Sequence, residues 1–429
     1  MKILWVKAGG LVPPDTGGKI RSYNILRELA RRHSVTFFSF YAAHDNDLHP
    51  DLNNMFERVV CLPLRLPAPK SPAEMLDYGI RLFSSQPYNI TKYCRPEVRR
   101  RLRALLKQET YDVILCDFMV AAGVIPWDWP TPKVLFTHNV EATIWRRHYH
   151  VADDPLWRAI SWLEWRRMET AERRYLRLAD RVLTVSETDR DAFAPFVEPG
   201  KLTVVPTGVD VDYFQPMSVE ETPNSLVFTG SMDWLPNEDA ILYFVEAILP
   251  LIKRQCPDVS LEVVGRSPSR KLQALAQQEK SMRLTGWVED IRPFVARGSI
   301  CIVPLRIGGG TRLKIFEAMA MSKAVVSTSV GAEGLPVRAG ENILLADTPD
   351  YFARSVVSLL RDPNQRQKLG ASATALVQEK YSWPKVAENF ARTLQDVITQ
   401  PTPPAAAEAG NAGVTGATEG PSQQGERPK

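Results

Sequence analysis

No stretch of this sequence reaches the ~18 uninterrupted apolar residues of a membrane-spanning helix, so no transmembrane segment is predicted. The opening run MKILWVKAGGLVPP does not read as a signal peptide either. Its apolar part is short, Lys7 interrupts it, and no small-residue cleavage site follows; a buried first strand fits it better. Cysteine is scarce. Cys61, Cys94, Cys116, Cys256 and Cys301 are five, an odd number without a CxxC pair. That pattern argues against a disulfide framework or a zinc cluster, and no metal site is predicted. Cys116 and Cys301 lie in apolar strand-like runs and read as reduced core thiols of a cytoplasmic protein. The charge excess is small, +4 at pH 7, so bulk electrostatics do not call for nucleic acid. The G-x-x-x-x-G-K-[ST] loop of nucleotide hydrolases is missing. So is G-x-G-x-x-G followed by an acid after the second strand, which counts against a dinucleotide enzyme.

What is present is an ordinary globular composition, 44% hydrophobic and 24% charged over 429 residues. At ~100–200 residues per domain, two domains are expected. Short β-rich runs alternate with helical ones. KILWV, the helical GGKIRSYNILRELARRH and SVTFFSF make a βαβ opening, and a parallel sheet follows from it. YDVILCD, KVLFTH, DRVLTVS and KLTVV continue the strands, with one long helical stretch over about 142–179. A second series begins at SLVFTGSM and runs through SLEVVG, MRLTG, SICIVPL and AVVSTS, each separated by a helical pattern. The predicted organisation is a first α/β domain over 1–215, a second over 216–385, a closing helix over 386–399 and a tail over 400–429. The tail lacks aromatics and nearly all large aliphatics, so it is predicted to be disordered.

Ligands of open α/β sheets bind beyond the carboxyl ends of strands. The polar clusters lie at such ends, so two facing sheets would form one interdomain cleft. The densest cluster is RIGGGTRLKIFEAMA. Gly308, Gly309 and Gly310 allow close backbone approach, Thr311 suits a helix cap, and the helix start favours an anion that Arg306, Arg312 and Lys314 would reinforce. Glu317, a turn or so later, would be repelled by a phosphate but suits the hydroxyls of a ribose. Gly17 and Gly18 open the first helix, and Gly230 ends the strand SLVFT. Trp287 and Val288 in GWVED could bracket a base, although a core Trp at a turn reads almost as well. His138 ends the strand KVLF beside Asn139 and Glu141, while Asp117 ends the preceding strand. KYCRPEVRRRLRALLK is densely basic. The 142–179 stretch mixes Trp145, Trp157, Trp162 and Trp165 with Arg146, Arg147, Arg158, Arg166 and Arg167. Arg with Trp suits peripheral contact with an anionic inner-membrane surface; a solvated helix with its tryptophans packed inward has the same pattern.

CIVPLRIGGGTRLKIFEAMAMSKAVVSTSVGAEGL, supported by PPDTGGKIRSYNILRELARRHSVT and GWVEDIRPF, resembles the retaining nucleotide-sugar glycosyltransferases of the GT-B fold, group 1 or family 4. The likeness extends to about residue 399. It implies two Rossmann-like doubly wound domains facing across a cleft. The donor site would lie mainly on the second and the acceptor site mainly on the first. No metal or cofactor is implied beyond the nucleoside-diphosphate sugar itself, and the acceptor would be a polysaccharide or lipid-linked hydroxyl. Glu317 matches the second Glu of the family's Glu-seven-residues-Glu motif, the ribose ligand; Gly309 replaces the first. The Arg and Lys that many relatives carry after the SLVFTG strand are absent from SMDWLPNEDA, so Arg306, Arg312 and Lys314 are expected to supply that charge. His138 matches the family's sugar-facing histidine, expected to stabilise developing positive charge or position the sugar. The alternatives are a degenerate sugar-nucleotide binder, a GT-B epimerase, or a phosphorylase, which would need a lysine-bound pyridoxal site.

Overall fold

The computed structural model describes residues 1–42, 52–69, 71–152, 154–307 and 312–400. In the first half the strands are β1 (Lys2–Ala8), β2 (Ser34–Ala42), β3 (Arg58–Leu64), β4 (Val113–Asp117), β5 (Lys133–Phe136), β6 (Arg181–Thr184) and β7 (Leu202–Val204). Its helices are α1 (Gly17–Ala30), α2 (Leu52–Met55), α3 (Pro72–Ile80), α4 (Tyr88–Thr91), α5 (Pro96–Gln108), α6 (Glu141–Val151), α7 (Pro155–Leu178) and α8 (Glu187–Phe193). The second half carries β8 (Ser225–Thr229), β9 (Ser260–Val264), β10 (Met282–Gly286), β11 (Ile300–Val303), β12 (Ala324–Ser327) and β13 (Leu344–Leu345). Its helices are α9 (Leu235–Tyr243), α10 (Leu249–Lys253), α11 (Arg270–Gln278), α12 (Arg292–Arg297), α13 (Leu313–Ala320), α14 (Pro349–Arg361), α15 (Pro363–Lys380) and α16 (Trp383–Thr399).

Both sheets are parallel and doubly wound. The first has the order β3-β2-β1-β4-β5-β6-β7 and the second β10-β9-β8-β11-β12-β13. Parallel strands are covered on both faces, so they carry continuous apolar runs rather than alternation with polar residues. The pleat still sorts them. Leu4 and Val6 of β1 join one core cluster, with Ile114 and Cys116 of β4; Ile3 and Trp5 join another on the opposite face, with Val113 and Leu115. A third cluster fills the second half. All five cysteines are free thiols, and burial pushes Cys301 up to about 12.

The structure departs from the sequence reading in three places. The helical stretch at 142–179 is two helices, because Asp154 caps a new start by accepting from Trp157 N at 2.7 Å and Pro155 occupies the first turn. The strands β3 and β13 went unread; β13 is only two residues long and pairs at the sheet edge. The helix after the glycine turn starts at Leu313, with Arg312 at its cap in the left-handed region at φ 54°. Gly308, Gly309, Gly310 and Thr311, with the roles expected of them, lie outside the described residues, as does the tail from 401.

The last described helix returns to the first half. α16 lays Phe390 on Trp5, rings stacked at 5.7 Å, and edge-on to Phe136 at 5.2 Å. Trp383 packs where a Cβ on Gly208 would sit 2.5 Å from its ring. Phe390→Ala is therefore expected to lower unfolding stability by about 3–5 kcal/mol, read by urea denaturation.

Candidate functional site

In each sheet the first strand lies inside and the winding reverses beside it, at β1/β4 and at β8/β11. Such reversal points leave a crevice beyond the strand ends. Here the two crevices face each other and form one cavity of about 1000 Å³, lined from β1 and β4 by Ala8, Gly9 and Phe118 and from β8 and β11 by Gly230 and Leu305. That volume lies at the upper end of small-molecule sites.

The wall from the first half rests on a buried charge network. Asp117, fully buried, accepts from Trp5 Nε1 at 3.0 Å, Lys7 Nζ at 2.9 Å, Ser22 Oγ at 2.7 Å and His138 Nε2 at 2.8 Å. Arg21 Nη1 approaches His138 Nδ1 at 2.8 Å, and its Nε donates to Thr207 at 3.0 Å. Arginine only donates, so Nδ1 must accept and the ring proton sits on Nε2, facing Asp117. His138 is thus a neutral ring with both nitrogens occupied. Burial, with Arg21 and Lys7 adding to it, pushes its pKa down to about 3 against the opposing pull of Asp117. Burial alone would raise Asp117, but Lys7, His138 and Ser22 hold it well below the usual range. The Phe118 ring stacks on His138 with centroids 3.7 Å apart and 2° between planes. Phe118 pays for that position with φ 72°, a strained value for a bulky residue. Gly18 is needed for the same reason: a Cβ there would sit 2.4 Å from Phe118 Cζ.

The facing wall is built on α13. Lys314 and Glu317, one turn apart, both line the cavity. Lys314 Nζ donates to Asn237 Oδ1 at 2.8 Å and lies 4.0 Å from the Phe228 ring centroid. Among the described residues no donor reaches the half-buried Glu317 carboxylate. Burial pushes Lys314 down and Glu317 up, both to about 7, each opposed by the other's charge. The backbone beneath is tight, since a Cβ on Gly265 would lie 1.7 Å from Gly230 O. Trp287, Val288 and Arg312 also line the cavity. Arg312 turns partly away, donating to Val330 O at 2.9 Å and Glu333 at 3.2 Å.

Of the residues expected from sequence, Gly17, Gly18, His138, Gly230, Trp287, Val288, Arg312, Lys314 and Glu317 meet around this one cavity. Arg306 does not join them. It is bound to Asp239 through two contacts of 2.6 and 3.1 Å and covers the Tyr243 ring outside the cleft. The sequence reading passed over Lys7, Arg21, Phe118, Trp234, Asn237 and Arg266. Whereas Arg306 is not among the lining residues, Arg266 is exposed in the cavity and donates to Ser231 Oγ at 2.9 Å. Its signal was available: it follows the strand SLEVVG directly. The His138 ring cannot act as base or acid toward a ligand, because neither nitrogen is open.

A family model described as glycosyl transferases group 1 matches residues 223–362, and one described as glycosyltransferase family 4 matches 16–213. The GDP-mannose-dependent monoacylated alpha-(1-6)-phosphatidylinositol monomannoside mannosyltransferase of Corynebacterium glutamicum is 25% identical over 214 residues. That match spans 44% of this chain and 55% of that protein. Among solved structures, sucrose-phosphate synthase from Thermosynechococcus elongatus matches at TM-score 0.68 and 17% identity over 93% of this chain and all of that one. HepE from Anabaena in complex with UDP matches at 0.63 and 15%, over 92% and 100%. At these identities the structural likeness establishes the shared fold.

Were the ligand of this cavity a nucleoside diphosphate, as the sequence resemblance implies, two outcomes would follow. A phosphate pairs with Lys314 only while it is protonated, so affinity should fall as pH rises above 7. Ribose hydroxyls bond Glu317 best when it is ionised, so affinity should also fall as pH drops below 7. Calorimetric titration across pH with a nucleoside-diphosphate sugar, whose diphosphate stays ionised throughout, should give a maximum near 7, with the acid limb lost in Glu317→Gln and the alkaline limb lost in Lys314→Ala. In addition, Lys314→Ala should weaken binding by at least ~10-fold, about 1.4 kcal/mol, while Arg306→Ala leaves it unchanged.

Proposed function

Because this chain belongs to the group 1, family 4 glycosyltransferases, enzymes of the GT-B fold, we propose that it moves a sugar from a nucleoside-diphosphate sugar to a hydroxyl acceptor with retention. The product would be a polysaccharide or glycolipid made on the cytoplasmic side. The second half, 216–385, would hold the donor and the first half, 1–215, the acceptor. The observation that carries this reading is the pairing of Lys314 and Glu317 on one helix turn at the cavity wall. One is a cation for the diphosphate, and the other is an acceptor without an internal donor for the ribose. Trp287 lines the same cavity and is suited to covering a base.

In the proposed reaction the bond from the sugar's anomeric carbon to the phosphate oxygen breaks as the acceptor oxygen attacks from the same face. The acceptor's proton passes to the departing phosphate oxygen. Nothing in this step asks His138 for a proton, in keeping with its two occupied nitrogens. The chain's share is to position both substrates and to offset charge on the leaving diphosphate through Lys314 and Arg266. No metal or cofactor is invoked. His138 would act by position, its strand-end backbone and its ring edge, clamped by Phe118, shaping the sugar subsite.

A thermal-shift panel of UDP, GDP and their sugars tests the donor assignment. The cognate nucleotide at a hundredfold excess over its Kd should stabilise the fold by about 2.7 kcal/mol. Product NMR should then show a new glycosidic bond with the donor's anomeric configuration. Sugar epimerised and released without an acceptor would mark an epimerase, and tight nucleotide binding without turnover a degenerate binder. A flat response to every nucleotide would overturn the reading.

A further inference from the structure

α3 is amphipathic with its apolar side outward. Its start is well defined: Ser71 accepts from Glu74 N at 3.2 Å and Pro72 fills the first turn. None of its nine residues is buried. Met75, Leu76 and Ile80 are 72%, 68% and 72% exposed, and Phe83 just beyond is 94% exposed. These positions recur at helical spacing and form one stripe. The side facing the protein is polar. Asp77 takes Arg81 Nε at 3.0 Å, Arg81 Nη1 reaches Thr91 O at 3.0 Å, and Tyr78 donates to the fully buried Glu164 of α7 at 3.3 Å. Arg167 of α7 grips Leu82 O. The helix is held by its polar residues, and the apolar stripe is thereby displayed to the outside. Single exposed apolar residues are normal on a surface, whereas a contiguous stripe marks an interaction site.

Charge selects the occupant. From Arg81 to Lys107 the chain has eight Lys and Arg and one acid, Glu97. Arg95, which caps α5, lies 3.9 Å from Asp77 of α3, and Arg100 and Arg101 one turn further along α5 are exposed. Two copies joined through this face would bring two basic segments together, whereas an anionic lipid surface complements both the stripe and the charge. The tryptophan-rich helix contributes less than its sequence suggests. Trp145 and Trp165 pack on the core, while Trp157 and Trp162 of α7, on which α3 rests, are about half exposed.

We propose that α3 is a docking helix that lies in the interface of an anionic bilayer, with Met75, Leu76, Ile80 and Phe83 among the acyl chains. α4 is the next element, and Asn89, Lys92 and Tyr93 line the cavity. Docking therefore turns the acceptor end of the cleft toward the lipid, and on the transferase reading the acceptor is presented from the bilayer. The test is sedimentation of the full chain with phosphatidylglycerol–phosphatidylcholine vesicles and with pure phosphatidylcholine vesicles. The wild type should pellet with the first and much less with the second. Ile80→Glu with Phe83→Glu should weaken binding at least ~10-fold, and Arg100→Glu with Arg101→Glu should weaken binding to the anionic vesicles alone. Light scattering without lipid should report a monomer. Failure to pellet, pelleting unchanged by the α3 variant, or a dimer that this variant dissolves would each overturn the proposal. The nucleotide-induced thermal shift should persist in the α3 variant. Its absence from the wild type would count against the transferase reading and leave the vesicle result standing.

Discussion

Asp117 collects four donors at the point where the first sheet reverses its winding, and five separate segments depend on that collection. Trp5 and Lys7 come from β1, Ser22 from α1, and His138 from the end of β5. Arg21 extends the set to Thr207, in the connection between the two halves. Buried ions are tolerable only when each finds partners, and removing one member of such a group typically costs about 3–5 kcal/mol. The network therefore fixes the register between strand ends and helix start that gives the cavity its first wall. Burial, with the Lys7 and Arg21 cations adding to it, keeps His138 neutral against the pull of Asp117.

The second wall has the opposite character. Its functional groups are under-partnered rather than saturated. Lys314 has Asn237 and the face of Phe228, and Glu317 has no donor among the described residues. Each therefore has a pKa moved toward neutrality by burial, as is common where a ligand completes the site. One wall has its buried charges satisfied internally, while the other keeps two buried ionisable groups with few internal partners among the described residues. That contrast supports the proposal that the first half would shape the acceptor pocket and the second would gather a charged donor.

The family's acid at the position of Gly309 is absent, and so are the cations many relatives place after β8. After β8 the cavity is lined instead by Trp234 and Asn237 and, from the neighbouring strand end, by Arg266. Arg266 and Asn237 both bond Ser231, so the β8–α9 turn is held in place from two sides. On the proposed reading, these residues would take up part of the donor contacts that relatives make with other side chains.

The sequence by itself determined the two parallel sheets, because continuous apolar runs alternating with helical patterns permit little else. It also placed the polar clusters at strand ends, and Glu317 and Lys314 were legible from their spacing after the glycine turn. Local pattern did not reveal the break at Asp154–Pro155 within a long helical period, nor a strand as short as β13. Three matters were decided only by tertiary structure. That both His138 nitrogens are occupied depends on Arg21 and Asp117, 117 and 21 residues away in the chain. Arg306 looked like a phosphate ligand until Asp239, 67 residues earlier, was seen to hold it outside the cleft. And the outward stripe of α3, a helix not picked out in the sequence, follows from the packing of its polar side against Glu164 and Thr91. In each case a partner distant in sequence set the outcome, and side-chain pairing across that distance leaves no periodicity to read.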